Sequence, residues 1–192
     1  MLATVNTIGA GVPDPDADLI FGLQSRDEKS LAGLMDRHMS AIHKQAFYML
    51  GDKMAAEDVT QTVFLKTWEH AHNWEPGQAK LLTWMRRVTR NACLDILKKK
   101  TPIYTDTVPE MEDAANSPFE SLSETQRSQR VGLALAQLPE NQRAALTLSY
   151  YQNVSQREGA AIMDVSESAY ESLLVRARKA LKIILTDETI EG

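Results

Sequence analysis

The stretch SQREGAAIMDVSESAYESLLVRARKAL, Ser155 to Leu181, decides how the C-terminal part of this chain folds. Ser155 followed by Glu158 reads as a capping box, a pairing that satisfies the free N–H groups at a helix start. The helix it opens is short and ends near Met163. Asp164 stands where the following turn needs a residue tolerant of left-handed dihedrals, and Ser166 is placed to cap a second helix. Two helices joined by a turn of about three or four residues form a helix-turn-helix.

At about 100° per residue, the second helix divides into two faces. Tyr170, Leu173, Leu174, Ala177, Leu181 and Ile184 fall on one side and are expected to pack inward. Ser168, Glu171, Ser172, Val175, Lys179 and Lys182 fall on the other, with Arg176 at its edge. Short polar side chains that read base edges and cations that hold phosphates suit a DNA major groove. The bland alternative is an amphipathic helix with a solvated outer face.

Upstream, LLTWMRRVTRNACLDILKKK, Leu81 to Lys100, carries six basic residues against the single acid Asp95. Its apolar stripe is Met85, Val88, Ala92 and Ile96, while Trp84, Arg87, Asn91 and Lys98 share a separate face. An aromatic ring, an amide and cations on one face suit unpaired DNA, whose bases stack and whose backbone attracts cations. The competing readings are a core tryptophan at Trp84 and a solvated helix end at Lys98.

Three more helices are predicted before this one. One starts near Asp16 with Leu19, Ile20 and Leu23, and one covers Glu28 to Leu50, ending at Gly51. The third runs from about Asp52 to His72, with Val59, Val63, Phe64, Thr67 and Trp68 inward and Glu57, Asp58, Gln61 and Lys66 outward. The fold class is therefore all-α: two small helical domains joined by a flexible acidic linker, the C-terminal one containing the helix-turn-helix. The boundaries expected are a flexible tail at 1–17, a first domain at 18–100, the linker at 101–124, a second domain at 125–185 and a tail at 186–192.

Of the 192 residues, 43% are hydrophobic and 24% charged, as in ordinary globular chains. The net charge of −5 argues against a protein that clings to DNA unaided, but two basic elements, Leu81–Lys100 and the last helix, flank an acidic segment. The one cysteine, Cys93, excludes an internal disulfide and a cysteine-based zinc site within one chain. No apolar run reaches the ~20 residues of a membrane span, and the first residues lack the basic start of a secretion signal. A cytoplasmic protein with no membrane contact is expected.

In order and spacing, three segments resemble the sigma-70 family of RNA polymerase sigma factors, in its extracytoplasmic-function group, which retains regions 2 and 4 alone. AAEDVTQTVFLKTWEHAHNW (Ala55–Trp74) is similar to region 2.2, LLTWMRRVTRNACLDILKKK to regions 2.3 and 2.4, and LPENQRAALTLSYYQNVS (Leu138–Ser155) to region 4.1 leading into 4.2. The resemblance implies that Glu57, Asp58, Gln61 and Phe64 bind the clamp helices of core RNA polymerase. It implies that Trp84, Arg87, Asn91, Lys80 and Lys98, with the loop Ala71–Lys80, bind the melted −10 element. Ser168, Glu171, Ser172, Val175, Arg176 and Lys179 are assigned to the −35 element, with the second domain on the polymerase flap. It also implies promoter opening in a stress response and an anti-sigma factor that masks both domains.

Three residues depart from the family pattern. Glu171 and Leu173 stand where many relatives carry Lys or Arg; Leu173 falls on the inward side, while Glu171 faces outward and leaves the −35 sequence open. Gly159 replaces a large apolar residue, and weaker packing is expected there.

The rival readings are a stand-alone helix-turn-helix regulator, an enzyme, and a plain helical scaffold that would bind no polymerase. A stand-alone helix-turn-helix regulator does not account for Trp84, Arg87 and Asn91 on one face. An enzyme would need a reactive constellation, and no phosphate loop, nucleophile motif or carboxylate pair stands out. His70 and His72 point ~200° apart on a helix and do not share a metal easily. No catalytic residue, metal, cofactor or small-molecule substrate is expected.

Overall fold

The computed structural model describes residues 14–75, 79–100 and 131–190. Every regular element among them is helical. The first unit contains α1 (Ala17–Gln24), α2 (Glu28–Leu50), α3 (Lys53–His70), a 3-10 turn (Ala71–Asn73) and α4 (Leu81–Lys100).

Local chemistry sets the breaks. The Asp27 side chain accepts from the Lys29 and Ser30 N–H groups and starts α2. Gly51, at φ +69°, ends it in the left-handed conformation with its N–H on the Phe47 carbonyl. Asp52 then caps α3 by accepting from Ala55 N–H at 3.0 Å. The α2 boundaries coincide with the expected ones, while the expected third helix gives way to the 3-10 turn after His70.

α2 is the spine. Leu34, Ile42, Ala46 and Met49 meet Val59, Val63 and Phe64 of α3 and Met85 and Cys93 of α4 in a closed apolar core. Full burial of each Leu, Ile, Val, Met or Phe side chain is worth about 1.5–3 kcal/mol before conformational entropy is counted. Three threonines lie in or beside this core, and each donates its hydroxyl to the carbonyl four residues earlier: Thr60 to Ala56, Thr67 to Val63, Thr89 to Met85. Gln45 crosses from α2 to α4 with its amide on the Arg86 carbonyl at 2.9 Å.

The chain before α1 is anchored from Asp14 onward, whereas looseness was expected as far as residue 17. Asp14 Oδ2 accepts the Leu81 N–H at 2.7 Å and so caps α4 from 67 residues away. Asp16 is buried and pairs with His38 at 2.8 Å and with Arg37. Residues 1–13 and the expected linker at 101–124 lie outside the described residues.

The second unit is described from a helical stretch at 131–136. α5 (Glu140–Leu146) runs on through a π-helical segment (Thr147–Tyr151), followed by α6 (Gln156–Met163) and α7 (Glu167–Ile190). α7 continues to Ile190 instead of ending at 185. Leu135, Leu138, Ala145, Leu148, Ile162, Met163, Tyr170, Leu174 and Ala177 make its core. Ser155 Oγ accepts from Glu158 N–H at 3.2 Å and Ser166 Oγ from Ala169 N–H at 3.1 Å, so the two serines cap the helices where the sequence places them.

The two units pack together. Arg143, buried at the start of the second unit, donates to the carbonyls of Met49, Ala136 and Leu138 and so ties α5 to the end of α2. Tyr151 stacks on Tyr48 with ring centroids 3.9 Å apart, and Gln152 donates to the Ala41 carbonyl at 3.0 Å.

Candidate nucleic-acid interface

α6 and α7 meet at a left-handed corner. Asp164, at φ +59°, closes α6 with its N–H on the carbonyls of Ala160 and Ala161. Tyr170 crosses directly over Gly159, where an added Cβ would sit 2.3 Å from the ring's Cζ. The Tyr170 hydroxyl donates to the Ala145 carbonyl at 3.1 Å, and burial pushes its pKa up to about 12. The glycine expected to weaken this packing instead makes room for a large aromatic ring. The departure is one half of a matched pair.

On α7, Tyr170, Leu174 and Ala177 are buried, and Leu173, Leu181 and Ile184 are half-buried beside them. Ser168, Glu171, Ser172, Val175, Arg176 and Lys179 are all exposed along the other side. The division follows the 3.6-residue period. Val175 is 57% exposed, an apolar side chain presented to solvent in the middle of a polar face.

α4 is more crowded than its sequence indicates. Met85 is fully buried, but Val88, Ala92 and Ile96 are half-buried, and Leu81, Thr89 and Cys93 share the inward side. Trp84 is half-buried in an aromatic cluster, stacked on His70 at 5.1 Å and edge-on to Trp74 at 6.0 Å. Lys80, Asn91 and Lys98 are exposed, and Arg87 is half-buried. Asn91 accepts from Arg90, which also donates to Asn141 of the second unit at 3.0 Å.

The contacts that hold α4 against the helix-turn-helix were missed by sequence reasoning. Glu158 does not complete a capping box. Its carboxylate accepts from the Thr83 hydroxyl at 2.8 Å and Arg86 at 3.4 Å. Arg86 also donates to Gln152, at both its carbonyl and its side chain. Burial lowers the Arg86 pKa, a shift that Glu158 opposes. Arg87 pairs with Asp164 at 3.2 Å. No spacing rule could have found these pairs, because each joins residues more than 65 positions apart.

A third surface lies on the first unit. An open groove of about 900 Å³ runs between α2 and α3, lined by Met35, Met39, His43, Gln61, Phe64 and Leu65 among others. Glu57, Asp58 and Gln61 are exposed along it or beside it, while Phe64 is buried and forms its floor. Met39 and Leu65 are exposed apolar side chains at its rim. Leu65 was not singled out in the sequence, since its position falls on the outward side of α3.

The histidines are placed by local packing. His38 pairs with Asp16, His43 stacks on Phe47 and His70 on Trp84.

A helix-turn-helix with a clear outer face, joined to a helical unit with a basic and aromatic helix, defines a two-unit DNA-reading chain. Against known proteins, the sigma-70 region 2 model matches residues 34–102 and the sigma-70 region 4 model matches residues 128–181. The chain belongs to the sigma-70 family, in its extracytoplasmic-function group. The ECF RNA polymerase sigma factor SigM of Bacillus subtilis is 30% identical over 151 residues, covering 77% of this chain and 90% of that protein. RpoE of Cereibacter sphaeroides, another ECF sigma factor, is 31% identical over 144 residues, 71% of this chain and 75% of that one.

Among solved structures, CnrH in complex with the cytosolic domain of CnrY matches with a TM-score of 0.70 at 22% identity, covering 90% of this chain and 97% of that one. The sigma factor RpoE in complex with the anti-sigma factor NepR, from Bartonella quintana, matches at 0.64 and 22% identity, covering 82% and 98%. At these identities the likeness is one of fold.

Proposed function

We propose that this chain binds core RNA polymerase in the cytoplasm, recognises promoter −10 and −35 elements and promotes strand opening, leaving all chemistry to the polymerase. The observation that carries this reading over a stand-alone regulator is the second polar and aromatic face, on α4. A duplex-binding regulator needs the exposed side of α7 and has no use for Trp84, Arg87, Asn91, Lys80 and Lys98 as a group. The groove floored by Phe64, with Glu57, Asp58 and Gln61 beside it, is the docking surface for the polymerase clamp helices. Its exposed Met39 and Leu65 supply apolar area that a polymerase helix would cover.

On α7, Glu171 accepts from a cytosine amino group and Val175 packs against a thymine methyl, while Arg176 and Lys179 hold phosphates. Residues 34–102 and 128–181 are the polymerase- and promoter-binding units of this reading. An anti-sigma factor, the partner named for the Bartonella relative, would restrain the chain until a stress signal releases it. The test is run-off transcription from a genomic fragment library with core polymerase. Transcripts that depend on this protein and vanish in an Arg87→Ala, Asn91→Ala double variant support the reading. Tight duplex binding by the protein alone, without stimulation of polymerase, refutes it.

A further inference from the structure

The faces proposed for the two promoter elements are held against each other in the folded chain. Trp84 and Arg87 share the walls of a cleft of about 510 Å³ with Asp164, Val165, Ser166 and Glu167 at the helix-turn-helix corner. Elements at −10 and −35 are separated by ~25 base pairs, which is ~85 Å of duplex at ~3.4 Å per pair. A chain with α4 and the corner in contact does not reach both. Residues 101–130 are 30 in number, and a segment of that length spans up to ~100 Å when extended. Separation of the two units is therefore compatible with the length of chain between them.

At the cleft, carboxylates of the second unit meet cations of the first, beside the Arg143, Tyr151 and Gln152 contacts that join the units elsewhere. Asp164 occupies a left-handed position that glycine fills without strain, and its backbone N–H already closes α6. Its side chain reaches Arg87 across the cleft at 3.2 Å. Glu158 supports it with Thr83 and Arg86, the cation side chain being 10% exposed there.

We propose that the helix-turn-helix corner is an ionic latch. In the free chain, Asp164 and Glu158 hold the promoter-facing side of α4 shut, with a carboxylate on Arg87 where a DNA phosphate would lie.

The latch is built to open. The Asp164 side chain is 74% exposed, so its pair with Arg87 is weak and screened by salt. Arg86 Nε is buried and finds no acceptor among the described residues, so part of its desolvation cost is unrecovered while the units are closed. Binding of the first unit to single-stranded DNA then competes at the cleft against ion pairs that are individually weak, while Arg143, Tyr151 and Gln152 hold the units together elsewhere. The inference rests on the sigma-factor reading for what α4 binds, but the closure itself can be measured without it.

The experiment compares the full chain with Asp164→Asn and with an Asp164→Asn, Glu158→Gln double variant. Both asparagine and glycine tolerate the left-handed corner, so Asp164→Gly serves as a second version that keeps the turn. Donor and acceptor dyes are attached through Lys29→Cys and Lys182→Cys, two exposed positions in different units. Energy transfer should be high in the parent at low salt, fall as salt rises, and be lower in every latch variant. Binding of a fluorescein-labelled mixed-sequence single-stranded oligonucleotide by the free chain should tighten about five- to tenfold in the double variant.

Variants with unchanged melting curves that show parental energy transfer and parental oligonucleotide binding would overturn the latch. Failure of the parent chain to support transcription with core polymerase would instead refute the sigma-factor reading. The energy-transfer comparison would then still decide the closure.

Discussion

Gly159→Ala is expected to destabilise the second unit, although alanine is the better helix former. The new methyl would lie 2.3 Å from Tyr170 Cζ and 2.4 Å from its oxygen. Carbon atoms pack at ~3.5–4.0 Å, so the ring must withdraw by about 1 Å or more. Tyr170 is fully buried, and its hydroxyl is held by Ala145 at 3.1 Å, so withdrawal strains the core and breaks that bond. Overpacking costs about 1–3 kcal/mol and the lost hydrogen bond about 1 kcal/mol. The gain from replacing a mid-helix glycine is about 0.5–1 kcal/mol. The net is a loss of about 2 kcal/mol. With a slope near ~1 kcal/mol per molar urea for a small unit, the midpoint falls by about 1–2 M. The assay is urea unfolding followed by far-ultraviolet ellipticity, with Tyr170→Leu and the double variant alongside. If the pair is matched, the double variant loses less than the sum of the singles by about 1 kcal/mol or more. A Gly159→Ala midpoint equal to or above the parent would refute the argument.

Arg143→Met should cost about 2–4 kcal/mol, because it strands carbonyls at the end of α2 and before α5; Arg143→Lys should not restore the loss, since an ammonium lacks the planar fork. Thermal unfolding of the three proteins checks both statements. Burial raises the Asp16 pKa, but hydrogen bonds from His38 and Arg37 outweigh this and hold it below the ordinary 3.8. Its contribution to stability is therefore complete above pH 3.8 and disappears as pH falls through the depressed folded value. Urea midpoints measured down that acid limb should drop less steeply in Asp16→Asn than in the parent. Burial pushes the Cys93 thiol up to about 12, so a disulfide reagent should leave it unmodified in the native chain and react fully in denaturant.

The parts of the fold legible in the sequence were those governed by local rules. Gly51, Asp52, Ser155 and Ser166 mark helix ends because caps act within one turn. The exposed side of α7 follows from the helical period alone. Packing between units obeys no such rule. Arg86 belongs to a basic run that reads as a solvated or DNA-facing surface, yet it is buried against Glu158. Glu158 has the spacing of a capping box, but Thr83 and Arg86 claim its carboxylate. Gly159 was read as a missing side chain because its partner, Tyr170, was assigned to the core by period without a specific neighbour. Asp14 and Asp16 were lost among the Pro, Gly and Asp of a tail-like segment, where nothing local reveals that α4 needs a cap.

That remote cap bears on how the protein is handled and subdivided. A truncation designed on the residue-34 start of the sigma-70 region 2 match would retain α4 complete in sequence. It would also discard the acid that terminates α4's hydrogen-bond ladder, along with Asp16 and α1. Such a fragment would present Trp84 on a fraying first turn with Arg87 one turn further on, and its weak binding would be mistaken for poor affinity of the intact unit. The working unit for biochemistry therefore begins at or before Asp14, twenty residues upstream of the homology boundary.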